Sequence, residues 1–89
     1  MNMPKININK RHKIHAMPSI ACEESITSNG SRVYMHTRTD SNGVEHYEFG
    51  SSFFCIGWTV DKAKAEQFWA NVGKFTFAEL QKIAATGKK

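Results

Sequence analysis

The sequence predicts an α+β fold: an antiparallel β-meander of about four short strands, followed by two C-terminal α-helices packed on one face. From Ile20 to Trp58, β-branched and aromatic residues alternate with polar ones between turns. The tripeptide Ser-Asn-Gly occurs twice, at 28–30 and 41–43, and Asn and Gly tolerate the positive φ that tight hairpins require. After Trp58 the apolar spacing becomes helical.

The length of 89 residues allows one domain. We expect a flexible basic N-terminal arm over residues 1–13, a single α+β domain over residues 14–87 and a basic tail at residues 88–89. Ile6 and Ile8 could add an edge strand. Chains near this size bury only about 60 to 65% of their unfolded surface. This leaves little room for an enclosed cavity, so we expect no cofactor and a functional site on the surface.

The first strand is predicted from Ile20 to Thr27. Pro18 and the residues after it could also form a first helical turn, so residues 14–27 are compatible with strand or helix. For the loop that follows, a two-residue turn at Asn29-Gly30 pairs Ile26 with Val33, whereas a three-residue loop sets Ile26 opposite Arg32. Matching of apolar residues therefore predicts the two-residue turn.

The second hairpin is predicted to have a three-residue loop at 41–43. This register pairs Thr37 with Tyr47 and Met35 with Phe49, and it separates the two faces of the sheet. One face carries Val33, Met35, Tyr47 and Phe49, and the other carries Tyr34, His36, Arg38, His46 and Glu48.

The fourth strand is predicted from Phe53 to Trp58, after the turn Gly50-Ser51-Ser52. Its residues are apolar on both faces, which is typical of a strand covered on both sides. Cys55 is therefore expected to point into the core. Gly57 indicates a bulge or a close approach of another backbone.

Two amphipathic helices complete the predicted fold. The first begins near Thr59 or Asp61 and ends at Gly73, with an apolar stripe at i, i+3, i+4 and i+7 formed by Ala65, Phe68, Trp69 and Val72. The second begins with a capping box from Thr76 to Glu79. The staple positions and the inner face of this helix are Phe75, Phe77, Leu80, Ile83 and Ala84.

The net charge of +4 is unevenly distributed along the chain. Six of the twelve basic residues lie in residues 1–13 and 88–89, while the body carries six basic and eight acidic residues. The arm residues Lys10, Arg11 and Lys13 can contact phosphates, or they can simply remain solvated. The charge therefore indicates a basic arm on a slightly acidic domain.

The residue types of metal sites and catalytic sites are present without their usual spacing. The possible metal ligands are His12, His15, His36, His46, Cys22 and Cys55. His12 and His15 are close in sequence, but there is no CxxC pair and no second close pair, so we expect no metal site. Cys55 with His46 and Glu48 could form a nucleophilic triad, but Cys55 falls in an apolar strand. Phosphate-loop and nucleotide motifs are absent from the sequence, and we expect a protein that is not an enzyme.

The sequence also bears on location. Its longest apolar run is Phe53 to Ile56, four residues, whereas a transmembrane helix needs about twenty. Residues 1–14 contain no apolar block that could serve as a secretion signal. We therefore expect no membrane association and a cytoplasmic protein with reduced cysteines.

The polar face of the sheet is the predicted binding site. Tyr34, His36, Arg38 and His46 combine an aromatic ring, a guanidinium and two imidazoles, which can stack on bases, contact phosphates or bind a protein. We expect a small non-enzymatic binding protein that occupies the surface of a protein or nucleoprotein partner, using these residues and the basic arm. Phages and mobile elements use small proteins of this kind as stoichiometric inhibitors of host nucleases or defence complexes.

Two alternatives have different partners. One is a nucleic-acid-binding module, and the other is a homodimer that associates through sheet edges or surplus aromatic residues. The strands followed by the Lys/Ala-rich helix start at Thr59–Glu66 resemble, over Arg32–Val72, the arm-type DNA-binding domains of phage-type integrases and double-stranded-RNA-binding domains. That resemblance implies nucleic-acid contact through Lys62 and Lys64, although Asp61 and Glu66 interrupt the basic cluster.

Overall fold

The computed structural model describes residues 3–10, 17–52 and 54–85 and contains a four-stranded antiparallel sheet in the order β1-β2-β3-β4. The strands are β1 (Ser19–Ile26), β2 (Arg32–Thr39), β3 (Glu45–Gly50) and β4 (Cys55–Thr59). Helix α1 (Lys62–Asn71) runs into one turn of 3-10 helix (Val72–Lys74), and helix α2 (Phe77–Ala85) follows. The predicted α+β meander with two C-terminal helices is confirmed, and the segment after Pro18 is a strand.

The second hairpin has the predicted register. Thr37 lies opposite Tyr47 and Met35 lies opposite Phe49. The Gly43 amide donates to the Asp40 carbonyl at 3.0 Å, and Gly43 has φ of 81°, a left-handed conformation that glycine adopts without a Cβ penalty. The three-residue loop is therefore confirmed.

The prediction of a two-residue first turn is wrong. The Thr27 amide donates to the Ser31 carbonyl at 2.8 Å, and Ile26 lies opposite Arg32. The loop has three residues. Ile26 is 47% exposed, so pairing it with an apolar residue would bury nothing and does not determine the register. Local chemistry decides the register instead: the Thr27 hydroxyl accepts the Ser31 amide, as the Asp40 carboxylate accepts the Val44 amide in the second loop.

Strand β4 begins at Cys55, later than predicted. The start of the predicted strand is therefore not buried on both faces. Phe53 lies outside the described residues, and Phe54 precedes the strand and is 62% exposed. Ile56 is fully buried. At Gly57 the predicted close approach is confirmed, since a Cβ there would lie 2.7 Å from the Asn9 backbone oxygen.

The N-terminal segment contributes to the core. Ile6 and Ile8 are 2% and 3% exposed, and Asn9 exchanges two backbone hydrogen bonds with Trp58, at 2.7 and 2.8 Å. The edge strand predicted as an option at Ile6 and Ile8 is not formed, and the described segment pairs with the sheet through an antiparallel bridge between Asn9 and Trp58. The predicted boundary between arm and domain therefore does not mark where packing begins, because apolar residues on the N-terminal side of it pack inside the domain.

Both helix starts match the sequence signals. Asp61, the later of the two predicted starts, caps α1 by accepting the Lys64 amide at 3.2 Å. Thr76 and Glu79 form both bonds of the capping box, at 2.9 and 3.2 Å. The helices close the core over the sheet, where the Phe49 ring lies 4.6 Å from the Phe68 ring between centroids. The largest fully buried side chains are Phe49, Phe68, Ile6, Ile56, Leu80, Ile83, Val33 and Val72.

Within the described part of the chain, neither helix has the length and apolar character needed to cross a membrane.

Candidate functional site on the polar face of the sheet

The polar face of the sheet contains a concave region of about 560 Å³, here called the polar-face concavity. It forms because the side chains of successive strands line up in rows: Cys22 lies opposite His36, and His36 lies opposite Glu48. The turn before β4 closes one end. Its lining includes Cys22, Tyr34, His36, Arg38, Glu48, Phe54 and Cys55.

Arg38 is held within the concavity by its own neighbours. Its Nε donates to Glu48 Oε1 at 2.9 Å, and the two side chains are only 14% and 7% exposed. Its Nη1 donates to the Met17 carbonyl at 3.0 Å. The charge of the guanidinium is therefore balanced by Glu48, and the group is largely buried. It is poorly placed for the phosphate contact that the sequence suggests.

His46 lies opposite Arg38 on the neighbouring strand but does not line the concavity. It is buried at 9% exposure, its Nε2 lies 3.1 Å from Asp40 Oδ2, and its ring lies 5.6 Å from Trp58 between centroids. The hydrogen bond from His46 lowers the pKa of the Asp40 carboxyl. His46 thus supports the second hairpin rather than lining the concavity.

His36 and Tyr34 do line the concavity. His36 Nδ1 lies 3.2 Å from the Ser19 hydroxyl, and His36 Nε2 lies 3.8 Å from Cys22 Sγ. Tyr34 is half-buried and also borders a second concave region of about 410 Å³ next to Phe77. These two residues therefore offer polar and aromatic surface that remains reachable.

Phe54 is a surface residue, whereas the sequence predicts it within the fourth strand. It is 62% exposed, it borders both concave regions, and its ring lies 6.3 Å from that of Phe77 between centroids. A tight turn sets its position, since the Ser51 amide donates to the Phe54 carbonyl at 2.7 Å and the Phe54 amide donates to the Ser51 hydroxyl at 3.1 Å. The signal in the sequence is the position of Phe54 soon after the turn residues Gly50-Ser51-Ser52, because a turn there lets the strand begin only at Cys55.

The comparisons give no family for this chain. No family model matches the sequence, and neither the curated proteins nor the solved structures include a significant match.

The predicted contribution of the basic arm is described only for Lys10. Its Nζ donates to the Ile56 carbonyl at 2.7 Å, so this ammonium is bound to β4. Arg11 and Lys13 lie outside the described residues, as do the possible metal ligands His12 and His15.

The described candidates for a metal site, and the triad of Cys55, His46 and Glu48, are not brought together in the structure. Among residues 3–10, 17–52 and 54–85, no three His, Cys, Asp or Glu side chains are grouped to hold a metal ion. Of Cys55, Glu48 and His46, only the first two line the concavity together. Cys55 is half-buried there rather than in the core.

The two cysteines are expected to react at very different rates. Burial, followed by the nearby Glu48 carboxylate, raises the pKa of Cys55 from 9.0 to about 11, which means about 100-fold less reactive thiolate at a given pH. Cys22 is exposed. At pH 8, a disulfide reagent such as 5,5′-dithiobis(2-nitrobenzoate) should label Cys22 rapidly and Cys55 slowly, as followed by absorbance and peptide mapping.

The denatured protein supplies the control, because both thiols should then react at similar rates. Cys22→Ser should remove the fast phase alone. Equal rates for the two thiols in the native protein would contradict the described environment of Cys55.

Proposed function

We propose that this chain is a small non-enzymatic binding protein that docks on a protein surface through the polar-face concavity and its rim residue Phe54. The observation that carries the proposal is the large exposed phenyl ring next to a concave region lined by Tyr34 and His36. Aromatic side chains are enriched in the cores of protein interfaces and dominate their binding energy. A protruding loop of the partner would fill the concavity while Phe54 packs at its edge.

The charges favour a protein partner over bare nucleic acid. Nucleic-acid binding depends on cations that neutralise phosphates, but Arg38 in the concavity is paired with Glu48 at 2.9 Å. A further ion pair on this face of β1 and β2 joins Arg32 to Glu24 at 3.2 Å. A neutral aromatic surface supports docking to a protein or to the protein part of a nucleoprotein.

The narrower proposal is a stoichiometric inhibitor, such as those that phages and mobile elements direct against host nucleases or defence complexes. Covering a partner's working surface needs only complementary shape and enough buried area, about 800 Å² on each partner for a stable complex. The proposed location is the cytoplasm, where Cys22 and Cys55 would remain the free thiols that the structure shows.

The test is affinity capture from a nuclease-treated lysate of the cells that express the chain, with quantitative mass spectrometry. Phe54→Asp should reduce the yield of the captured protein at least tenfold, since loss of an aromatic side chain that anchors an interface costs about 2 kcal/mol or more. Val60→Asp is the matched control, because Val60 is 51% exposed and lies beside α1, away from the concavity. It should leave capture unchanged.

Three outcomes would contradict the proposal. Capture that disappears with nuclease would favour the nucleic-acid-binding module. Equal losses for Phe54→Asp and Val60→Asp would remove the concavity as the site. Sedimentation that shows a dimer of the wild-type chain but a monomer of Phe54→Asp would assign the same rim to self-association.

A further inference from the structure

A third concave region lies on the opposite side of the sheet, between α1 and strands β1, β2 and β3. Its volume is about 350 Å³, and we call it the α1 groove. Met35, Tyr47 and Trp69 contribute its apolar and aromatic surface. Met35 and Trp69 are half-buried and pack against the core, so each leaves part of its surface on the groove.

The aromatic surface is rigidly placed. The Trp69 ring lies 6.1 Å from the Phe49 ring between centroids, and Phe49 is fully buried. Tyr47 is 8% exposed, and its hydroxyl donates to Glu45 Oε1 at 2.7 Å. The groove is thus preformed, with two rings that do not need to reorganise on binding.

Carboxylates surround this aromatic surface. Glu23 of β1, Glu45 of β3 and Glu66 of α1 line the groove against a single lysine, Lys62. Two of them act on Tyr47, whose pKa rises to about 12 because of its hydrogen bond to Glu45, its burial and the charges of Glu45 and Glu66. The groove is therefore electronegative as well as aromatic.

We propose that the α1 groove binds a lysine or arginine side chain from a basic segment of a protein partner. The face of a Trp or Tyr ring attracts a cation, an aliphatic stem packs on apolar surface while its charged head stays near water, and the carboxylates complement the charge. An apolar ligand would leave the carboxylates without a counter-charge, and the same carboxylates repel phosphates. The chemical class of ligand is therefore a cationic peptide.

The experiment is a titration of the full-length ¹⁵N-labelled chain with the peptide acetyl-Lys-Thr-Arg-Thr-Lys-amide, followed by NMR at low ionic strength. The indole N–H signal of Trp69 should shift with saturation, while that of Trp58, which lies on β4, should remain in place. The same peptide with glutamate in place of each basic residue should shift neither signal. Saturable binding of the acidic peptide at Trp69 would overturn the proposal.

Matched variants identify the carboxylates. The double variant Glu23→Gln/Glu66→Gln should weaken peptide binding at least about fivefold, since it removes two of the carboxylates that complement the cations of the peptide. Glu24→Gln removes the same charge from the neighbouring position, which pairs with Tyr34 and Arg32 on the other face, and should change the affinity less than twofold. Equal weakening by Glu24→Gln would show that net charge alone drives binding and would overturn the proposal.

The two proposed surfaces can be distinguished. Phe54→Asp should leave the Trp69 titration unchanged, since Phe54 does not line the α1 groove. If the free chain self-associates and Glu23→Gln/Glu66→Gln abolishes this, the groove is occupied by a second copy's basic residues and the partner proposal is wrong.

Discussion

Arg38→Ala is expected to destabilise the protein by about 3 to 5 kcal/mol, because it removes one partner of a buried ion pair. Glu48 would keep its nearly buried position, 7% exposed, without the guanidinium that lies 2.9 Å away. The Met17 carbonyl would also lose its donor. For a domain with a typical stability of about 5 to 15 kcal/mol, a loss of this size is measurable by urea denaturation followed by tryptophan fluorescence.

Two comparisons establish the cause of that loss. Arg38→Met together with Glu48→Leu removes both charges and should recover most of the stability, because apolar replacement of a buried pair is often close to neutral. Arg32→Ala removes an exposed partner of Glu24, with side-chain exposures of 67% and 42%, and should cost less than about 1 kcal/mol. Similar losses for Arg38→Ala and Arg32→Ala would show that the first pair is not buried in solution.

This expectation changes how the binding site should be tested. A loss of partner binding in Arg38→Ala would reflect a weakened sheet as readily as a lost contact, since Arg38 joins β2 to β3 through Glu48. Phe54 is the more informative position, because its side chain is largely exposed.

Ile8→Ala is expected to cost about 2 to 5 kcal/mol, the usual range for truncating a buried isoleucine. Ile8 is 3% exposed. Its Cδ1 packs so closely on Gly57 that a Cβ on that glycine would lie only 2.9 Å from it. The lost methylene and two methyl groups would leave a cavity between the N-terminal segment and β4. Chemical denaturation measures the change in the free energy of unfolding.

The neighbouring residue gives a control for Ile8→Ala. Asn7 is exposed, so Asn7→Ala should alter stability by less than about 0.5 kcal/mol. If Ile8→Ala were equally neutral, residues 6–9 would belong to a flexible arm, as their place beside the basic cluster first predicted.

The parts of the fold that follow local rules could be predicted from the sequence. The capping box at Thr76 and Glu79 needs only residues three apart, and the second hairpin needs only the alternation that places Tyr47 and Phe49 inside. The first hairpin was mispredicted because β1 is exposed along almost all of its length. Where neither face is buried, apolar matching gives no information on register.

The candidate site was only partly predictable, for a different reason. Alternation correctly placed Tyr34, His36 and Arg38 on one face, but a sequence pattern does not show which part of a polar face is covered. Burial of His46 depends on contacts with Asp40 and Trp58, and the Trp58 contact requires the pairing of β3 with β4. The role of Ile6 depends on α2, which lies at the other end of the sequence.

The contact between the Ile6 amide and the Ile83 carbonyl, at 3.3 Å, has a consequence for the order of folding. The two residues are far apart in the sequence, so closing this contact costs a large loop entropy. During synthesis, the segment around Ile6 emerges before α2 and has no complete binding surface until α2 has been made. We therefore expect the β-meander to form early and the packing of residues 6–9 to be among the last steps, so that the nascent chain exposes two isoleucines that the finished protein hides.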